Sequence, residues 1–70
     1  MPTKRRNWTA KAITRFRLYN RMTQANFAKA AGVSRQMVNM WEHGRKKPGF
    51  ESLDKLDSLA REWKYPEGNR

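Results

Sequence analysis

The sequence predicts an all-α fold, four short helices in one small domain with room for no more than a short fifth turn after them. Three observations carry this expectation. Apolar residues recur at three- and four-residue spacing, as at Phe27, Ala28, Ala31, Val38 and Trp41, which gives each helix one face to bury. Hydroxyl residues and glycines stand where helix ends need them, with Thr9, Thr23 and Ser34 ahead of the apolar segments and Gly32 and Gly44 just behind them. Finally, a chain of 70 residues is long enough for one compact core and nothing more.

Residues 1–8 read as a basic arm, with Lys4, Arg5 and Arg6 in a row and nothing before Trp8 that a core could take. The folded domain is expected over 9–63. Thr9 caps a first helix reaching about Asn20, and Trp8 and Ile13 are spaced to staple its entry. Ile13 and Phe16 fall inside, whereas Lys11, Arg15 and Arg21 stay in water. Arg17 falls on the core side, where an unpaired guanidinium would be expensive to desolvate.

A second helix follows Thr23 over about 24–31, ended by Gly32, which turns the chain with positive φ at no Cβ cost. Val33 plugs the turn from below. Ser34 then caps a third helix over 35–43 that Gly44 stops. The fourth is expected from near Phe50 to about Trp63, with Glu51 and Asp54 at its positive end and Leu53, Leu56, Leu59 or Ala60, and Trp63 on its apolar face. Glu51, Asp54 and Asp57 read as a solvated acidic stripe rather than a metal or catalytic cluster, because no His or Cys accompanies them. Residues 64–70, with Pro66 and Gly68, read as a frayed tail.

Sixteen Lys and Arg against six Asp and Glu leave a net charge of +10. The imbalance sits in the front of the chain, since residues 1–41 hold nine basic residues and no acid. A field of that sign draws in polyanions, nucleic acid first and an anionic membrane surface second. With one His, no Cys and no length for a cleft, no catalytic pair, no metal site and no cofactor can be assigned. The absence of cysteine, of a membrane-length apolar run and of a signal-peptide core leads to the expectation of a cytoplasmic protein.

The outward face of the third helix carries the chemistry. Arg35, Gln36, Asn39, Met40 and His43 are long, hydrogen-bonding or soft side chains with no acid among them. Gln and Asn pair bidentately with adenine, Arg pairs with guanine O6 and N7, and Met can lie against a thymine methyl, so this face matches the code of the major groove.

From Ile13 to Leu56 the chain resembles the helix-turn-helix domains of the xenobiotic-response-element family, which includes the lambda-type phage repressors and Cro proteins. The resemblance lies in Ile13 with Phe16-Arg17, Met22-Thr23-Gln24, Phe27-Ala28, Gly32-Val33-Ser34, Val38, Trp41-Glu42, Gly44 and the Arg45-Lys46-Lys47-Pro48 loop before Leu53. It implies a sequence-specific regulator of transcription, a phage or bacterial repressor, bound to double-stranded DNA. Ser34, Arg35, Gln36, Asn39 and Met40 would read bases. Gln24, Arg45, Lys46 and Lys47 would hold phosphates, joined by Lys4, Arg5 and Arg6 of the arm. The resemblance also pairs Arg17 with Glu42 in a structural salt bridge between the first and third helices.

One short reading helix gives modest specificity, so a homodimer on a near-palindromic operator is expected, with half-sites about 34 Å apart. Asp57 and Ala60 stand where a small apolar residue and a leucine would usually fall in this family. Leu59, Trp63 and Tyr65 would then either replace the usual dimer patch or close the core. Two other readings compete: an antitoxin or restriction-system controller with a protein partner, and a charge-driven binder indifferent to sequence. Neither membrane nor small-molecule substrate is called for.

Overall fold

Each helix begins and ends for a local reason. In a computed structural model describing residues 7–66, α1 spans Ala10–Tyr19, α2 Gln24–Ala31, α3 Arg35–Glu42 and α4 Phe50–Glu62. No strand occurs among the described residues. The hydroxyls of Thr9, Thr23 and Ser34 accept hydrogen bonds from the backbone N–H groups of Ala12, Asn26 and Met37, each at 3.1 Å. Caps of this kind are worth about 1 kcal/mol each.

The helix ends share one device. Arg21, Gly32, Gly44 and Lys64 are all left-handed, with φ of 56°, 75°, 72° and 53°. Behind each, the next N–H reaches back five residues into the helix: Met22 to Arg17, Val33 to Ala28, Arg45 to Met40 and Tyr65 to Ala60, at 2.9–3.2 Å. These are Schellman caps. Two are made by glycine as the sequence led one to expect; the other two use basic residues in a conformation that L side chains resist.

The core is centred on Phe16. Its ring lies 5.2 Å from Trp8, 5.8 Å and edge-on to Phe27, 5.4 Å from Trp63 and 4.7 Å from Tyr65. Ile13, Ala28, Ala31, Val38, Trp41, Leu56, Leu59 and Ala60 complete the buried cluster. All four helices therefore contribute, and α3 packs chiefly on α2 and α1.

Three expectations need correction at this level. Trp8 belongs to the core rather than the arm, and its indole Nε1 donates to Asp57 Oδ1 at 2.8 Å. Asp57 is consequently a half-buried partner, because an indole N–H facing the protein interior requires an acceptor. Trp63 and Tyr65 close the core over Phe16, so the folded domain expected over 9–63 extends past α4 to include Tyr65.

Candidate nucleic-acid interface

Gly32 and Ser34 fix the turn between α2 and α3. Glycine supplies the left-handed residue, Val33 packs partly buried against the core, and Ser34 starts the next helix. α3 is held from beneath by Val38 and Trp41, both buried, and by partly buried Met37. The opposite side is left to solvent. Ser34, Arg35, Gln36 and His43 are exposed, while Asn39 and Met40 are half-buried.

Arg17 reaches under α3 to Glu42. Its Nε donates to Oε2 at 2.6 Å and its Nη2 to Oε1 at 3.0 Å, while Nη1 donates to the Met22 carbonyl at 3.0 Å. The two side chains keep only 15% and 6% of their surface in contact with solvent. Burial pushes the Glu42 carboxyl upward, but hydrogen bonds from Arg17, Gln24 and Thr14 and the guanidinium charge outweigh it and hold the group below the ordinary carboxylate range. The hydrogen bond to Glu42 raises Arg17 correspondingly. Both ends of the pair are thus charged at neutral pH.

Gln24 departs from its expected place. Its Nε2 donates to Glu42 Oε1 at 3.2 Å, and its Oε1 accepts from Asn39 Nδ2 at 3.5 Å. The amide is drawn inward because a buried carboxylate has more lone pairs than one arginine can fill. A chain of polar contacts therefore runs from Arg17 through Glu42 and Gln24 to Asn39 on the reading face. The Gln24 side chain is thus engaged within the protein rather than standing free for a phosphate.

Beyond α3, Gly44 turns the chain into Arg45, Lys46 and Lys47, all exposed. Residues 43–49 contain no acid. Pro48 and Gly49 lead into α4, which has no side-chain cap at its start. Exposed His43 places its Nδ1 2.8 Å from the Asn39 carbonyl, at the junction of reading helix and basic loop. The structure thus gathers Arg35, Gln36, Asn39 and Met40 on one helix, with Ser34 as its cap and Arg45, Lys46 and Lys47 following it. Lys4, Arg5 and Arg6 lie outside the described residues. Among those described, no group of His, Asp or Glu comes together that could hold a metal ion, and no helix is long and apolar enough to cross a membrane.

Two helices locked at a glycine turn, the second with one face in the core and the other in solvent beside a basic loop, define a helix-turn-helix DNA-binding domain. The Helix-turn-helix family model, of lambda repressor/Cro type, matches residues 13–59. The chain belongs to that family, and with it to the DNA-binding regulators of transcription. A search of curated proteins and one of solved structures give no match.

Proposed function

We propose that this protein is a sequence-specific, double-stranded DNA-binding repressor of phage or bacterial type, acting in the cytoplasm, that lays α3 in the major groove. Arg35 and Gln36 take the first base edges, with Ser34, Asn39 and Met40 extending the contact. Arg45, Lys46 and Lys47 hold the backbone, which fixes register without reading sequence. Lys4, Arg5 and Arg6 add phosphate contacts from the arm, and Gln24 joins them once it exchanges Glu42 for a phosphate.

The observation that carries this reading is the exposed, acid-free Arg35–Gln36 end of α3, on a helix pinned by its Ser34 cap, by Val38 and Trp41, and by the Arg17–Glu42 pair. A binder driven by charge alone needs none of that rigidity. The apolar region that the sequence offers to a partner of antitoxin type, Trp63 and Tyr65, packs on Phe16.

A single bidentate base contact discriminates by about 1–3 kcal/mol, so two copies on a near-palindrome are the natural route to useful specificity. Selecting bound duplexes from a random library tests this directly. A near-palindromic consensus with half-sites about one helical turn apart is the expected result. Recovery of unenriched sequence would leave only the charge-driven reading standing.

A further inference from the structure

Two described residues other than glycine hold a left-handed backbone, Arg21 at φ 56° and Lys64 at φ 53°. An L side chain in that region is strained, and strain that persists calls for a role of the side chain. Both are exposed cations one residue beyond a helix cap, so the field at a helix C-terminus accounts for part of the choice in each. Their surroundings differ. Lys64 follows α4, which packs chiefly on α2. Arg21 stands in the turn that ties α1 and α2 to the reading helix.

Its neighbours fix that turn from both sides. The Arg21 N–H donates to the Leu18 carbonyl at 2.9 Å and the Met22 N–H to the Arg17 carbonyl at 3.2 Å. The Met22 carbonyl accepts from Arg17 Nη1, whose Nε and Nη2 hold Glu42, and Gln24 reaches both Glu42 and Asn39 of α3. Arg21 is one residue from Met22 and three from Gln24, yet its guanidinium makes no hydrogen bond or ion pair among the described residues. No acid precedes Glu42 in the chain, and Glu42 is already engaged by Arg17 and Gln24. A permanently charged group with five donors is therefore left unused on a rigid turn whose next helix opens against Asn39.

We propose that Arg21 holds a phosphate of the duplex whose bases α3 reads, and that its backbone strain is retained for this contact. The proposal rests on the DNA-binding function above and gives the opening of α2 a cation in place of the Gln24 amide, which is engaged with Glu42. A guanidinium takes a phosphate through two parallel hydrogen bonds. Arg45, Lys46 and Lys47 hold the backbone from the turn after α3, and Arg21 does so from the turn before α2. Two backbone contacts from different turns set the orientation of the reading helix, which a single one leaves free to pivot.

Urea unfolding, and binding across a range of salt to a duplex recovered from the random library and to its scrambled counterpart, test this. Wild type is compared with Arg21→Gly, Arg21→Ala, Arg21→Lys and Lys64→Gly. Arg21→Gly is expected to raise the urea midpoint yet weaken both duplexes alike, by about three- to tenfold at ~0.1 M salt, with the salt slope lower by about one unit per copy bound. Arg21→Ala should lose the same binding without the gain in stability, which separates the charge from the freedom that glycine gives the turn. Arg21→Lys should keep the slope, and Lys64→Gly should raise the midpoint with binding unchanged.

An unchanged slope in Arg21→Gly overturns the proposal. So does an equal loss in Lys64→Gly, which would reduce Arg21 to its share of the general field. A lower urea midpoint in Arg21→Gly also overturns it, since the side chain would then serve the fold, and a loss confined to the recovered duplex would make Arg21 a base reader instead. If wild type prefers neither duplex while the Arg21→Gly slope still falls, the backbone contact stands and the sequence-specific function falls.

Discussion

Glu42→Gln keeps the shape of the Arg17–Glu42 pair and removes one charge. The guanidinium would remain 85% out of water by the side-chain exposure of 15%, with the Met22 carbonyl as its only other strong acceptor. Removing one partner of a buried pair costs about 3–5 kcal/mol, chiefly because the charge left behind has nothing to meet it. A 70-residue domain has a total stability on the order of 0.05–0.15 kcal/mol per residue, so this loss takes from roughly a third of it to all of it. The melting temperature should fall by at least about 12 °C at pH 7, followed by circular dichroism.

Acid titration gives a second reading of the same pair. Glu42 is held below the ordinary carboxylate value, so its contribution is complete above an unfolded value of about 4.3 and is lost as pH falls through the lower folded one. Wild type should therefore destabilise steeply below about pH 4, and Glu42→Gln should lack that part of the slope. Replacing both partners, Arg17→Met with Glu42→Leu, should restore stability to about the wild-type level or above it by up to ~4 kcal/mol. The double variant nevertheless leaves Gln24 without its carboxylate, and discrimination at the base pair met by Asn39 should decline. A loss below about 1 kcal/mol for Glu42→Gln, with the acid slope unchanged, would mean the pair is screened as at an open surface, and the reasoning fails.

Gln36→Ala should relax specificity at one base pair at a cost of about 1–3 kcal/mol, while Lys46→Ala should weaken all duplexes alike and lower the salt slope by about one unit. Equal behaviour of these two variants in competition binding would dissolve the division between reading and holding. Arg21→Gly and Lys64→Gly should each raise the urea midpoint, stabilising by about 0.5–1 kcal/mol, since a left-handed residue with a side chain is strained and glycine there is not. A midpoint that drops would assign those cations a contact more valuable than the strain. Trp8→Phe keeps the ring on Phe16 but strips the donor from Asp57, at a cost of about 1–2 kcal/mol in the same assay. A neutral result would place Asp57 effectively in water.

What the sequence disclosed divides by how far a residue's role reaches along the chain. Thr9, Thr23, Ser34, Gly32 and Gly44 act within a few residues, and their caps and turns follow from local chemistry alone. The left-handed Arg21 and Lys64 use the same geometry without glycine, and residue type gives no hint of it. Trp8 and Asp57 meet across 49 positions. Any of the acids spaced along α4 could have been the one facing Trp8, and only the tertiary placement of α4 selects it. Trp63 and Tyr65 were open to two roles for the same reason, and it is the position of Phe16 that draws them inward. Gln24 shows why a polar side chain beside the reading face resists inference from sequence. A glutamine opening a helix beside the reading face can serve a phosphate or a buried carboxylate, and both are anionic acceptors of similar strength. Glu42 takes further donors beyond Arg17, and Gln24 is one within reach, so the inward contact is made.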